Sequence, residues 1–105
     1  YTGRVAALNV GMREESCALQ VNRACGSGTQ AIITAAQQIM TGHSKIALAG
    51  GGENFSRGGF VNQKMRWGAV RGAQPFEDSV EWAYNDPFGH GLMGVTGENL
   101  ADDFQ

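Results

Sequence analysis

The segment 21–31, VNRACGSGTQA, joins two patterns of different periodicity. The short apolar run 18–21 is typical of a strand, and residues 28–41 are helix-forming. Cys25 therefore falls at a strand-to-helix turn. The free N–H groups and the positive end of the macrodipole at such a helix start favour an anion, so we expect this thiol to ionise more readily than one in solution. The position suits a nucleophile.

The glycines around this turn and a second apolar run indicate an α/β arrangement. Gly26 and Gly28 let the backbone turn sharply and leave room for a substrate carbonyl to approach the sulfur and nearby N–H donors. Residues 46–49 are typical of a buried strand and run into a glycine triplet and Glu53. Strand, helix and strand within ~30 residues predict a βαβ unit with parallel strands and a right-handed crossover. The chemistry then belongs at the carboxyl ends of the strands, where Cys25 and Glu53 both fall.

The helix predicted over 28–41 is apolar almost all round, so it belongs in an interior. A chain of 105 residues is one domain at most and has little with which to surround this helix. We therefore expect a partner or further sequence to cover part of it, and we take both chain ends to be cuts.

The remaining pattern is weaker and predicts short elements. Residues 1–57 are assigned to part of an α/β domain that carries the nucleophile, and residues 58–105 to the start of an irregular helical loop domain. The elements expected outside the βαβ unit are a helix over 4–12 ended by Gly11, irregular loop over 58–72, a short helix from Pro75 to Tyr84, loop over 88–93 and a final helix capped by Thr96.

Composition excludes several classes of partner. The net charge is −2 and the basic residues are scattered, which argues against nucleic acid and acidic membrane surfaces. No apolar run approaches the ~20 residues of a membrane span, so the default location is the cytoplasm, or an organelle in a eukaryote. The two cysteines lack CxxC spacing, so they predict neither a disulfide framework nor a zinc site. Cys17 is expected to be a small buried residue, and no metal is expected.

Three motifs carry a resemblance to a known family. They are the segment 21–31, the run AGGGE over 49–53 and the run MGVTGEN over 93–99. In this order and spacing they resemble the N-terminal half of a thiolase, an acetyl-CoA acetyltransferase or 3-ketoacyl-CoA thiolase. The chain corresponds to roughly a quarter of such an enzyme, so the resemblance implies a partial thiolase fold.

The resemblance implies an acyl-transfer mechanism with a role in fatty-acid metabolism. Cys25 would attack the keto carbon of a 3-ketoacyl-CoA, coenzyme A would then remove the acyl group, and the reverse reaction would be a Claisen condensation. The backbone N–H of Cys25 resembles one oxyanion donor. The family's acid/base cysteine, activating histidine and oxyanion asparagine lie beyond Gln105, so this chain alone is expected to be inactive. Coenzyme A thioesters are the implied substrates, with no bound cofactor, and the whole protein is expected to be a homodimer or homotetramer.

The resemblance also assigns roles to residues around the nucleophile. Met93 and Gly94 resemble loop residues that line the acyl and pantetheine pocket, and Leu92 stands where many short-chain thiolases have histidine. Glu53 is expected to hold backbone and neighbouring loops. The residues expected to support the site structurally are Asn22, Arg23, Gly26, Gly28 and Glu53. His90 is expected to be a solvent-exposed loop residue, although it could substitute for the histidine that Leu92 replaces.

Three other interpretations remain open. Residues 26–31 satisfy the dinucleotide-binding pattern G-x-G-x-x-A, with Glu53 about 25 residues later, but four residues separate these glycines from the strand. A ketoacyl synthase also uses a cysteine at a helix start, and here Asn22, Arg23 and the Glu53 motif favour a thiolase. A non-catalytic subunit-contact module is compatible with every residue present.

Leu92 predicts a preference for longer acyl chains, because an apolar side chain suits a longer or branched acyl group. We expect the full-length enzyme to use 3-ketohexanoyl-CoA at least as well as acetoacetyl-CoA. Comparison of kcat/KM for the two substrates checks this expectation. A strong preference for acetoacetyl-CoA would contradict it.

Overall fold

The computed structural model describes residues 1–104, which form two compact units, Tyr1–Glu53 and the residues from Asn54 onward. The first unit holds helices α1 (Thr2–Asn9) and α2 (Ser27–Met40). The second holds two 3-10 turns, two short hairpins and two helices. Its elements in chain order are Phe55–Arg57 (3-10), β1 (Phe60–Val61), Met65–Trp67 (3-10), β2 (Glu77–Asp78), α3 (Ser79–Tyr84), β3 (Asn85–Asp86), β4 (Gly91–Leu92) and α4 (Met93–Asp103). None of the helices in residues 1–104 has the length and apolar character needed to cross a membrane.

Helix α1 ends at the glycine that the sequence predicts as its terminator. Gly11 has φ 84°, and its N–H donates to the carbonyl of Leu8 at 3.0 Å. The next N–H, of Met12, reaches the carbonyl of Ala7 at 3.0 Å, which completes a Schellman motif. The helix spans Thr2–Asn9, so it both begins and ends earlier than the predicted range 4–12. It ends earlier because Gly11 already lies beyond its last turn.

Helix α2 confirms the predicted helix to within one residue at each end. Gly42 follows it with φ 76° and donates its N–H to the carbonyl of Ile39 at 3.0 Å, again a glycine-dependent helix end. The face of α2 that is half-buried in the first unit consists of small and polar residues: Ser27, Gln30, Ala31, Thr34, Ala35 and Gln38. The apolar face points outward, with Ile32 62% exposed and Met40 84% exposed. The predicted burial of this helix is therefore not found within residues 1–104.

The two strands predicted to flank α2 are not confirmed either. Neither 18–21 nor 46–49 forms a hydrogen-bonded strand. A strand exists through the ladder to its neighbours, and within residues 1–104 neither segment has a partner strand. No side chain in this part of the protein is buried, and Cys17, expected to be buried, is exposed. The apolar runs are thus present without the neighbours that would bury them.

The second unit is held by two short antiparallel hairpins. Strand β1 pairs with β2 in the register Phe60↔Asp78, and β3 pairs with β4 in the register Asn85↔Leu92. The second hairpin lies where loop was predicted, and it delivers the chain directly into α4 at Met93, so the predicted start at Thr96 is wrong.

Helix α3 begins later than the predicted start at Pro75. The carboxylate of Asp78 accepts the N–H of Val80 at 2.8 Å and so caps the helix, whose first residue is Ser79. Strand β2 leads directly into this helix. The N–H of Ser79 donates to the carbonyl of Gly59 at 3.1 Å, which ties the start of α3 to the residue before β1.

Gly58 is the position in the second unit where a side chain cannot be accommodated. A Cβ at this residue would overlap Cγ2 of Val80 on α3 and would lie 3.1 Å from the carbonyl oxygen of Phe55. The absence of a side chain therefore lets the 3-10 turn before it approach α3. Phe55 adds an edge-to-face contact with Tyr84, at 5.8 Å between ring centroids.

We expect Gly58→Ala to lower the free energy of unfolding by about 1–3 kcal/mol, the usual cost of overpacking. Urea unfolding of the chain measures this change. Gly59→Ala is the matched control, because a Cβ there meets nothing within 4 Å. The double variant Gly58→Ala/Val80→Ala should recover part of the loss, and equal stability of the two single glycine variants would contradict the packing argument.

Candidate active site

The turn before α2 is closed by hydrogen bonds between its own residues. The side-chain oxygen of Asn22 accepts the N–H of Ala24 at 3.0 Å. The hydroxyl of Ser27 accepts the N–H of Arg23 at 2.8 Å and donates to the carbonyl of Ala24 at 2.6 Å. Two side chains thus fix the backbone on both sides of Cys25.

Ala24 stands out within this turn because its φ is 45°. No other non-glycine residue in the described range 1–104 has a positive φ. A left-handed conformation costs a residue with a Cβ roughly 1–2 kcal/mol. Strain of this kind clusters at functional sites, where the surrounding structure maintains it. Here it lies immediately before the predicted nucleophile.

Cys25 directly precedes Gly26, the N-cap of α2, and is exposed to solvent. The carbonyl of Gly26 already accepts the N–H of Gln30 at 2.9 Å, and the N–H of Ser27 is bound to the carbonyl of Ala24 at 3.1 Å. Within residues 1–104 no hydrogen bond takes up the N–H of Cys25 or of Gly28. Cys25 therefore precedes the N-cap at the positive end of the α2 macrodipole, where these backbone donors have no partner among the described residues.

The two glycines after Cys25 serve different purposes. A Cβ on Gly26 would lie 3.3 Å from the carbonyl oxygen of Arg23, so the tight turn favours a residue without a side chain. A Cβ on Gly28 would meet nothing within 4 Å, so its small size keeps the space beside the helix start open.

Arg23 lies over the first turns of α2 and is exposed. Its guanidinium donates to the side-chain oxygen of Gln30 at 3.0 Å, and the amide of Gln30 donates to the hydroxyl of Thr34 at 3.2 Å. This chain of bonds links the turn to the helix surface along one face. The predicted structural role of Arg23 is consistent with these contacts.

The glycine triplet 50–52 meets the start of α2. A Cβ on Gly51 would lie 3.6 Å from the Cα of Gly28, so main chain faces main chain at this point. Glu53, which follows the triplet, is exposed and is engaged in a non-covalent interaction. The structure therefore brings the first two sequence motifs together within the first unit.

The third motif lies in the second unit, at the junction of the second hairpin with α4. Leu92 is the last residue of β4 and the N-cap of α4, and Met93 and Gly94 form the first turn. Leu92 is 44% exposed and Met93 55% exposed. His90 is exposed as expected, and its Nε2 lies 3.8 Å from a carboxylate oxygen of Asp86. The pocket-lining roles of Leu92, Met93 and Gly94 stay predictions.

Sequence reasoning missed Ser27 and Ala24 as parts of the site. A serine two residues after a nucleophile at a helix start was a usable signal, because serine hydroxyls bond nearby backbone groups in turns. The strained φ of Ala24 left no signal, since alanine is a good helix former with no preference for the left-handed region.

Each unit has an open depression on its surface. One of about 470 Å³ lies along Tyr1 to Asn9, and one of about 320 Å³ lies between Asn62 and Glu77. Among residues 1–104 no three metal-ligating side chains come together.

Residues 2–105 match the family described as thiolase, N-terminal domain. The chain belongs to the thiolase family. The thiolase relatives include the beta-ketothiolase BktB of Cupriavidus necator, 46% identical over 99% of this chain. The crystal structure of the Bacillus anthracis acetyl-CoA acetyltransferase superposes on this chain with a TM-score of 0.88 and 37% sequence identity. The crystal structure of human mitochondrial 3-ketoacyl-CoA thiolase superposes with a TM-score of 0.89 and 34% identity, and each superposition covers 98% of this chain.

The family assignment confirms the resemblance drawn from the three motifs and a partial thiolase fold. The chain spans 26% of the length of each of these thiolases, so activity, substrates and partners of the whole protein remain to be proposed. The match covers the glycines of the dinucleotide pattern and so removes the argument for that alternative.

We expect iodoacetamide to alkylate Cys25 about two- to fivefold faster than Cys17 at low salt. Cys25 lies next to a helix N-terminus, which stabilises a nearby anion by about 0.3–1 kcal/mol, whereas Cys17 lies in a loop without a helix start. Peptide mass spectrometry gives both rates in one sample. The ratio should fall toward one in high salt and in urea, and a ratio of one under native low-salt conditions would contradict the prediction.

Proposed function

We propose that this chain supplies the nucleophile of an acyl-CoA C-acyltransferase. The observation that carries the proposal is the placement of Cys25: an exposed thiol at the amino end of α2, beside a backbone N–H with no intramolecular partner. Family membership supports the reaction class, because relatives at 46% identity and below are named ketothiolase, acetyltransferase and acyltransferase. A thiolate at this position can attack a carbonyl while a backbone donor meets the oxygen.

In the proposed degradative direction, the sulfur of Cys25 attacks the keto carbon of a 3-ketoacyl-CoA. The bond between that carbon and the α-carbon breaks, the acyl group stays on the sulfur, and the electron pair leaves with the acetyl-CoA enolate. An acid protonates the enolate to give acetyl-CoA. The conjugate base of that acid takes the proton of the coenzyme A thiol, whose sulfur attacks the acyl-cysteine, so that acyl-CoA forms and Cys25 is released as thiolate. The reverse sequence is a Claisen condensation of two acyl-CoA molecules.

The N–H of Cys25 is proposed to donate to the oxygen that carries negative charge in each tetrahedral intermediate. Removal of one oxyanion donor from an acyl-transfer site raises the barrier by about 2.7–4 kcal/mol in a serine protease, and an effect of this order is expected here. The enolate acid, the base that activates the thiol and further oxyanion donors are assigned to the part of the enzyme outside this chain. No resident cofactor is proposed, since the leaving carbanion is stabilised as the enolate of a thioester and the acyl group passes between two thiols.

The roles of the other predicted residues follow from their positions. Leu92, Met93 and Gly94 are proposed to contact the acyl and pantetheine parts of the substrate, which is consistent with their exposure at a helix start. Asn22, Arg23, Gly26, Gly28 and Glu53 are proposed to support the nucleophile loop.

The outward apolar face of α2 supports an interior position for this helix in the whole protein. Ile32, Ile39 and Met40 lie on that face and are exposed within residues 1–104. We propose that the remaining thiolase sequence covers it, and that runs 18–21 and 46–49 then become parallel strands of a βαβ unit. We also propose that the whole protein is a homodimer or homotetramer. Its proposed location is the cytoplasm, or an organelle of a eukaryote, because a reducing compartment keeps Cys25 as a free thiol.

A chimera tests the proposal. The Cupriavidus necator beta-ketothiolase with its matching segment replaced by residues 2–105 of this chain should cleave a 3-ketoacyl-CoA in the presence of coenzyme A. Cys25→Ala in the chimera should lower kcat about a thousandfold or more, because the acyl group then has no acceptor. Loss of substrate absorbance measures the rate. The 105-residue chain alone should turn over no faster than its own Cys25→Ala variant.

Cys17→Ala is the matched control, an exposed cysteine eight positions earlier that should leave the chimera's rate within a few-fold. A folded, assembled chimera no faster than its Cys25→Ala form would sink the proposal and favour the non-catalytic subunit-contact module. Turnover by the isolated chain above its Cys25→Ala variant would contradict the assignment of catalytic groups to other parts of the enzyme.

A further inference from the structure

The hydroxyl of Ser27 is bonded backward into the turn and not forward into the helix. It bridges the N–H of Arg23 and the carbonyl of Ala24, at 2.8 and 2.6 Å. A helix-capping hydroxyl would instead accept an N–H from the next turn of the helix. These two bonds therefore determine the backbone of the turn that carries Cys25, while α2 itself does not depend on them.

Hydrogen bonds, not packing, hold the strained residue of this turn. Ala24 keeps φ at 45°, and Ala24 and Cys25 are both exposed, so side-chain packing within this unit does not impose the conformation. The bonds around Ala24 come from Ser27, through its hydroxyl and N–H, and from the side chain of Asn22. Loss of the Ser27 hydroxyl would remove two of the bonds of this turn, the one from the N–H of Arg23 and the one to the carbonyl of Ala24.

We infer that Ser27 is a positioning residue, whose hydroxyl holds the Ala24 turn and thereby keeps the Cys25 thiol beside the N–H donors at the start of α2. The inference rests on the proposed nucleophilic role of Cys25. The hydroxyl of Ser27 is bonded to Arg23 and Ala24 and not to Cys25. It acts by restricting where Cys25 can lie.

The first test measures thiol reactivity and needs no turnover. Ser27→Ala in the 105-residue chain should bring the ratio of the iodoacetamide rates of Cys25 and Cys17 from about two- to fivefold down to about one, because the thiol is no longer held beside the helix start. Ser27→Thr keeps the hydroxyl and should restore the ratio. Cys17 reports any general loosening of the chain, because its own rate should not change.

Thr41→Ala is the matched control at the opposite end of α2. The hydroxyl of Thr41 donates to the carbonyl of Gln37 at 2.8 Å, so this variant also removes a hydroxyl bond from a terminus of the same helix. It should leave the ratio unchanged. Circular dichroism of all variants checks that α2 is retained.

The second test measures catalysis in the chimera. Ser27→Ala should lower kcat about three- to tenfold with little change in KM, and Ser27→Thr should recover it. An unchanged reactivity ratio in Ser27→Ala, failure of Ser27→Thr to restore it, or an equal loss in Thr41→Ala would each overturn the inference. If the ratio responds as expected while the chimera with native Ser27 has no thiolase activity, the positioning role stands and the proposed function fails.

Discussion

The Ser27 hydroxyl, which joins Arg23 to Ala24 across the nucleophile turn, is the interaction on which the site depends. Packing cannot replace it, because no side chain in residues 1–104 is buried. Local hydrogen bonds also fix the helix ends of the first unit. Helices α1 and α2 are each followed by a glycine with positive φ whose N–H donates to a carbonyl of the last turn. Local hydrogen bonds, more than a hydrophobic core, set the backbone described here.

The sequence predicted the features that depend on neighbouring residues. Helix α2, its end at Gly42, the end of α1 near Gly11 and the position of Cys25 at a helix start all follow from patterns only a few residues long. Caps and glycine terminators act over one turn of chain, so one sequence is enough to identify them. The same holds for the family, since three motifs in order were sufficient to recognise a thiolase.

The features that residues 1–104 do not confirm depend mainly on partners distant in the sequence. Strands at 18–21 and 46–49 require neighbours that residues 1–104 do not supply, and the hairpin of β3 with β4 depends on a register that no local pattern specifies. The start of α3 was misplaced for a different reason: Pro75 is a good first residue for a helix, but the carboxylate of Asp78 caps it three residues later. The roles of Leu92 and Met93 could not be read from position alone, because a pocket is formed by several segments together.

The close approach of Gly51 to Gly28 has a consequence for how this family can vary. An alanine at 51 would make ordinary van der Waals contact with the Cα of Gly28, but a longer side chain would be directed at main-chain atoms. Side chains can change rotamer to absorb a misfit, whereas main chain can only shift as a whole. Enlargement at 51 would therefore displace Gly28, in the first turn of α2 and three residues after Cys25. Coupled substitution of two motifs far apart in the sequence is the expected evolutionary signature.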